Sequence, residues 1–152
     1  MKKFNFKLQS VLKYREYLED LARQETSKAF MDVMESIKAI EKLKFDYSKV
    51  FDDLNKAILK TISADEFRQY HNYLNSIEND ILEKTAIKTK LQKILLDKQK
   101  ILTQKTINKK IIELLKKKKK TQYMEKLRKI EQNIIDEAVV LKKVREKSDF
   151  IT

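Results

Sequence analysis

Few side chains in this sequence could take part in catalysis or hold a metal ion. The only histidine is His71 and there is no cysteine, so neither paired imidazoles nor thiolates are available within the chain. The acidic pair Asp52 and Asp53 is interpreted as part of an exposed, solubilising helix face. No set of nucleophile, base and orienting group is apparent. We therefore expect a protein that is not an enzyme and has no catalytic, metal or cofactor site.

The chain also contains no glycine and no proline. Phosphate-binding loops and dinucleotide fingerprints need glycine and are excluded, and the tight turns of β-sheet folds normally use both residues. Charged residues make up 38% of the 152 and hydrophobic residues 41%, which is typical of long helices. The longest apolar run, about Ala138–Leu141, is far shorter than the roughly 20 residues of a membrane span. We expect a soluble, cytoplasmic protein.

A seven-residue repeat predicts the first helix, over about residues 5–60. The repeat consists of two columns of residues that would face the other helix. The second column changes position between about Glu25 and Val33, where the residues on this face are small and polar. A phase shift in a coiled coil would give this change. The main column consists of Leu8, Arg15, Ala22, Ala29, Ser36, Leu43, Val50 and Ala57.

A capping box, Ser63 to Glu66, predicts that the chain reverses at about residues 61–64. The second helix is then expected over about 64–147, with room for a bend near residue 74 and for a short helix at the turn. The alternative is one continuous helix of about 140 residues. The favoured fold is all-α: an antiparallel coiled-coil hairpin over residues 1–152, one elongated unit whose second arm is longer. Leu8 would then lie opposite about Lys116, and the apolar stripe beyond would need a partner.

Charge is segregated along the chain, whose formal net charge is +12. Residues 84–129 hold 17 basic and three acidic side chains, whereas residues 45–83 hold four basic and eight acidic ones. The extreme is the run Lys116, Lys117, Lys118, Lys119 and Lys120. This run is either a solvated helix face or a contact for an acidic surface or a phosphate backbone. Only five basic residues are arginine, which weakens the case for specific nucleic-acid recognition.

The N-terminal string carries a resemblance to a known family. It resembles the opening of the FliJ family, Phe-x-Phe-x-Leu-Gln-x-Val-Leu-x-x-Arg-x-x-x-Glu, and the resemblance extends over nearly the whole chain. The matching residues are Phe4, Phe6, Leu8, Gln9, Val11, Leu12, Arg15 and Glu19.

This resemblance implies a non-enzymatic stalk of the bacterial flagellar type III export apparatus. Such a protein would insert into the hexameric export ATPase, reach the membrane export gate and, in some members, bind export chaperones. It would be cytoplasmic, peripheral to the inner membrane at the flagellar base, with no small-molecule ligand. The expected gate contacts are Tyr47, Phe51, Tyr73 and Ile77. The expected ATPase-ring contacts are Phe4, Phe6, Leu8, Gln9, Arg15, Ile130, Ile134 and Leu141.

Periodicity ranks the expected gate contacts. Tyr47 lies in the apolar seam, so it is more simply a core residue, whereas Phe51 and Tyr73 lie beside the seam and are harder to bury. Exposed aromatic side chains on a helical hairpin favour a covering partner. The alternative function is a basic coiled coil that associates with nucleic acid or with an acidic protein partner, although no motif that reads nucleic acid is present.

Overall fold

A computed structural model describes residues 3–149 of the chain. It contains two helices, α1 (Gln9–Leu59) and α2 (Ala64–Asp149), and no strand within the described range. The Thr26 hydroxyl on α1 is hydrogen-bonded to the Lys98 carbonyl on α2, and the Tyr47 hydroxyl is hydrogen-bonded to Glu78. Residues later in α1 therefore pair with residues earlier in α2. The helices are therefore antiparallel. The predicted all-α hairpin with a longer second arm is confirmed.

The first helix begins later than the sequence pattern predicted. It starts at Gln9 and not near residue 5, because Phe4–Phe6 form a non-helical lead-in that ends in a turn. The backbone N–H of Gln9 donates to the carbonyl of Phe6 at 3.1 Å. Phe6 is buried, so packing of its ring holds the lead-in in place and prevents the helix from extending towards the N-terminus.

The chain reverses in four residues, Lys60–Ser63, without an intervening helix. Thr61 adopts a left-handed backbone with φ of 65°. The backbone N–H of Glu66 donates to Ser63 Oγ at 3.2 Å, and the N–H of Ser63 donates to Glu66 Oε2 at 3.3 Å. These reciprocal bonds are the predicted capping box, which satisfies donors that the first turn of a helix leaves without partners.

Packing divides the chain into two units. Unit one comprises residues 1–17 and 106–152, and unit two comprises residues 18–105. The expectation of a single elongated unit over 1–152 remains a prediction. Residues 1–2 and 150–152 lie outside the described range.

The core of unit two follows the predicted seam. Both the small residues before the phase shift and the larger ones after it are buried. Thr26 lies at the shift, and its hydroxyl is 2.8 Å from the carbonyl oxygen of Ala22 and 3.2 Å from that of Lys98. A short side chain reaches the backbone of the opposite helix only where the helices approach closely, which the small seam residues permit. The buried apolar residues of this core are Ala22, Ala29, Val33, Ile40, Leu54, Leu74 and Ile77.

Lys98, which interrupts the apolar pattern of α2, is accommodated by an ion pair across the helices. Its Nζ donates to Glu25 Oε2 at 2.8 Å. The hydrogen bond from Lys98, together with its positive charge, lowers the pKa of Glu25 below its ordinary value. Because solvent reaches both side chains, which are 35% and 49% exposed for Lys98 and Glu25, the pair contributes little stability on its own, but it places the lysine head outside the seam.

Unit one is held by the lead-in and the first turns of α1 against α2. Phe6 and Leu12 are buried, and the ring of Phe4 lies 5.6 Å from the ring of Tyr123. Leu8 and Leu115 line the same recess, which agrees with the expected position of Leu8 opposite Lys116. The lead-in therefore covers α2 as far as about Tyr123.

Backbone strain at Thr61 generates a stability prediction. A left-handed conformation costs a β-branched residue roughly 1–2 kcal/mol, whereas asparagine tolerates it well. Thr61→Asn should therefore raise the free energy of unfolding by about 1 kcal/mol in urea denaturation. Thr61→Val keeps the branched side chain and should give no gain. If asparagine gives no gain over threonine, the strain argument fails.

Candidate functional site

One candidate surface lies in unit two near the chain reversal, where the gate contacts were expected. Tyr47 is half-buried, and its ring stacks on that of Phe51 with centroids 6.3 Å apart and planes 8° apart. Phe51 itself is 45% exposed. The two rings are one helical turn apart on α1, so they present a continuous aromatic surface that water covers on its outer side.

A carboxylate from α2 fixes the orientation of Tyr47. The Tyr47 hydroxyl donates a hydrogen bond of 2.9 Å to Glu78 Oε1. This bond stabilises the protonated phenol, and with partial burial and the carboxylate charge it raises the pKa of Tyr47 above its ordinary value. This hydrogen bond therefore fixes the Tyr47 ring next to Phe51 and also links α1 to α2.

Tyr73 lies on a different side of the helix pair from Phe51. It lines a recess of about 520 Å³ together with Val50, Ala57 and Tyr70. Val50 and Phe51 are consecutive in α1, so their side chains point about 100° apart. The buried Leu54 lies between these two directions, so Val50 and Phe51 flank the seam on opposite sides. Phe51 and Tyr73, although both are exposed, therefore do not form one patch. They mark two separate aromatic surfaces.

Ile77 is the fourth expected gate contact, and it belongs to the core. Only 4% of its surface is exposed, and it is buried on α2 together with Leu74. Its role in the structure is to support the seam beneath the aromatic residues. Within the expected set, the exposed side chains are Phe51 and Tyr73, with Tyr47 partly covered.

Sequence reasoning missed another aromatic surface next to the reversal. Phe67 is nearly half exposed, and its ring stacks on that of His71 with centroids 6.4 Å apart. Both residues line a recess with Ile62 and Arg68. The spacing of four residues between Phe67 and His71 was the available signal, since such pairs meet on a helix surface. Phe45, which lies earlier in α1 than Tyr47 and Phe51, is also exposed.

A second candidate surface lies in unit one, where the ATPase-ring contacts were expected. Among the N-terminal members, Phe6 is buried, Phe4 is half-buried against Tyr123, and Leu8 is about one-third exposed. Gln9 and Arg15 are half-buried. Most of the motif that carries the family resemblance therefore serves packing within unit one.

The C-terminal members of that set are fully available. From residue 128 to residue 147 every side chain of α2 is exposed. Ile130, Ile134 and Leu141 each expose more than half of their surface. A helix with this much uncovered apolar surface gains little stability in isolation. The apolar side chains exposed along this segment are Ile130, Ile134, Ile135, Val139, Val140, Leu141 and Val144.

The lysine run lies in unit one between the packed and the uncovered parts of α2. Lys116 is half-buried, and Lys117, Lys118, Lys119 and Lys120 are exposed. Five consecutive residues surround a helix completely, so the run does not form a single basic face. Its contact with an acidic surface or phosphate backbone stays a prediction.

The described residues offer no cluster of three or more histidine, cysteine or acidic side chains that could hold a metal ion. Within the same range, neither helix has a stretch apolar enough and long enough to cross a membrane.

The comparison with protein-family models agrees with the resemblance seen in the N-terminal string. A family model described as the flagellar FliJ protein matches residues 4–148. A solved structure, that of a YscO homolog from Chlamydia trachomatis, is similar with a TM-score of 0.47 and 16% identity, over 95% of this chain and 99% of that one. No curated protein matches the chain at a significant level. The predicted family is confirmed.

The bond between Tyr47 and Glu78 generates a pH prediction. A phenol with a raised pKa in the folded state stabilises the fold below its ordinary pKa near 10 and loses that contribution as pH rises through the raised value. Glu78→Gln removes the carboxylate charge, so the pKa of Tyr47 should fall. Ultraviolet titration of the phenolate measures this shift, with Tyr47→Phe assigning the transition.

Glu83→Gln is the matched control, because Glu83 is an exposed carboxylate on the same helix and has no bond to Tyr47. An equal shift in the Glu78 and Glu83 variants would show that general charge, and not this hydrogen bond, holds the phenol protonated.

Proposed function

The chain belongs to the flagellar FliJ protein family and is related to type III export; from that premise we propose that it is a stalk that couples the export ATPase to the membrane export gate. It acts without catalysing a reaction, in the cytoplasm at the inner face of the membrane. Its partners are the hexameric ATPase, the gate protein and export chaperones. It uses no cofactor.

The uncovered stretch of α2 is the observation that carries this proposal. Seven large apolar side chains between Ile130 and Val144 are exposed over about half or more of their surface. Burying each one in a partner stabilises a complex by about 1.5–3 kcal/mol. A ring that closes around this helix would cover side chains on every side of it, which suits apolar residues that are not confined to one face.

The aromatic surfaces of unit two support the contact with the gate. Phe51 and Tyr73 are exposed aromatic residues on two sides of the helix pair. Aromatic side chains are over-represented among residues that dominate binding energy. Residues 45–83 carry an excess of four acidic side chains, which would steer this region towards a basic partner.

The proposed ring contact is tested by charge placed in the uncovered stretch. Ile134→Asp combined with Leu141→Asp should weaken the complex with the export ATPase about 100-fold or more, since two buried apolar anchors are lost. Stimulation of ATP hydrolysis should be lost in parallel. Gln132→Asp with Asn133→Asp adds the same charge at exposed polar positions and should retain most of the binding.

Co-purification and steady-state hydrolysis provide the measurements. The ring assignment is wrong if the unsubstituted protein forms no complex at micromolar concentration and leaves hydrolysis unchanged. It is also wrong if both pairs of substitutions have the same effect.

The proposed gate contact is tested by truncating the two exposed aromatic residues. Phe51→Ala with Tyr73→Ala should abolish binding to the gate protein, with circular dichroism showing unchanged helix content because neither side chain is buried. The matched control is Leu59→Ala with Leu82→Ala, which removes exposed aliphatic side chains from the same unit.

Each aromatic residue should also be replaced singly. Because the two lie on different sides of the helix pair, loss of binding in one single variant identifies the side that the gate contacts. Normal binding by the double variant would refute the assignment of both residues.

A further inference from the structure

The lead-in of unit one forms a recess with α2. The residues of the lead-in cross a face of α2 without joining the helix, and a space of about 650 Å³ remains between them. This volume is within the range of sites that accept a few side chains. Apolar side chains supply much of its lining: Phe4, Phe6, Leu8, Leu115 and Tyr123.

Four lysines surround this apolar floor. Lys3 and Lys7 flank the lead-in, and Lys119 and Lys126 come from α2. No aspartate or glutamate lines the recess, and none of the four lysines forms an ion pair with any described residue. Four like charges around a low-dielectric floor repel one another, so a bound anion would relieve that repulsion.

We propose that this recess binds an acidic, amphipathic segment of a partner protein, with one or two apolar side chains seated on the floor and flanking carboxylates paired with the rim lysines. A simple inorganic anion would leave the floor uncovered, and an uncharged apolar chain would leave the lysines unpaired. A peptide segment that has both apolar side chains and carboxylates covers the floor and pairs with the lysines. The floor shares Phe4, Phe6 and Leu8 with the expected ring contacts, so the proposal rests in part on the proposed function. The tests below use a peptide and no export ATPase, so either proposal can fail while the other stands.

A synthetic peptide provides the probe. A fluorescein-labelled peptide of about 18 residues, with leucine and phenylalanine spaced three and four residues apart and glutamate elsewhere, should bind the full chain in fluorescence anisotropy. The same peptide with glutamine in place of every glutamate should bind at least about tenfold more weakly, since the charge pairing is lost. Raising the salt concentration should weaken the acidic peptide more than the neutral one.

Substitutions of the rim lysines localise the site. Lys119→Glu with Lys126→Glu should weaken binding of the acidic peptide about tenfold or more. Lys117→Glu with Lys118→Glu makes the same change in net charge at neighbouring exposed positions that do not line the recess. This control pair should change affinity less than about threefold.

Substitutions of the floor separate apolar contact from charge. Phe4→Ala should weaken the acidic peptide and the neutral peptide alike, because both use the floor. Tyr14→Ala, at an exposed position of unit one outside the recess, should weaken neither. Circular dichroism shows whether each variant keeps its helices.

Three results would overturn the proposal. Equal loss in the two lysine pairs would show attraction by net charge alone. Absence of peptide binding at low salt would show that the recess has no such ligand. Tighter binding to vesicles that contain phosphatidylglycerol, with the same dependence on Lys119 and Lys126, would assign the recess to a lipid surface in place of a protein.

Discussion

Pairing of the two helices depends on a reversal of the chain within Lys60–Ser63. A long helix with one apolar seam gains little by itself, so α1 and α2 each need the other. The sequence offers neither glycine nor proline for the turn. The chain uses Thr61 in a left-handed conformation and satisfies the start of α2 with the capping box of Ser63 and Glu66. A local cost in backbone energy thus permits a seam that runs through unit two.

Sequence reasoning predicted the features that follow from local chemistry or strict periodicity. The capping box, the change of seam around Thr26 and the exposed apolar residues near the end of α2 are of this kind. The start of α1 was misplaced because a seven-residue apolar column of Phe4, Val11 and Leu18 extends to Phe4, while packing of Phe6 decides the backbone there. Periodicity shows which residues could be helical, but it does not show where tertiary packing ends the helix.

The candidate site was harder to predict than the fold. A family resemblance shows which positions correspond, but it does not show which side chains are exposed in this chain. Ile77 was expected at the gate contact, yet it is among the most buried residues of unit two. Phe51 and Tyr73 were expected together, but the rotation between Val50 and Phe51 separates them. Phe67 and His71 form a stacked pair that was not predicted. Exposure depends on which faces of the two helices meet, and one sequence alone does not provide that.

The contact of Thr26 with Lys98 has a mechanical consequence. The hydroxyl of Thr26 is hydrogen-bonded to the main chain of α2, and the neighbouring Glu25 forms an ion pair with the Lys98 side chain. Sliding α1 along α2 by one residue, about 1.5 Å, would break the hydroxyl contact and strain the ion pair. An axial force on one helix of unit two is therefore transmitted to the other helix at this point.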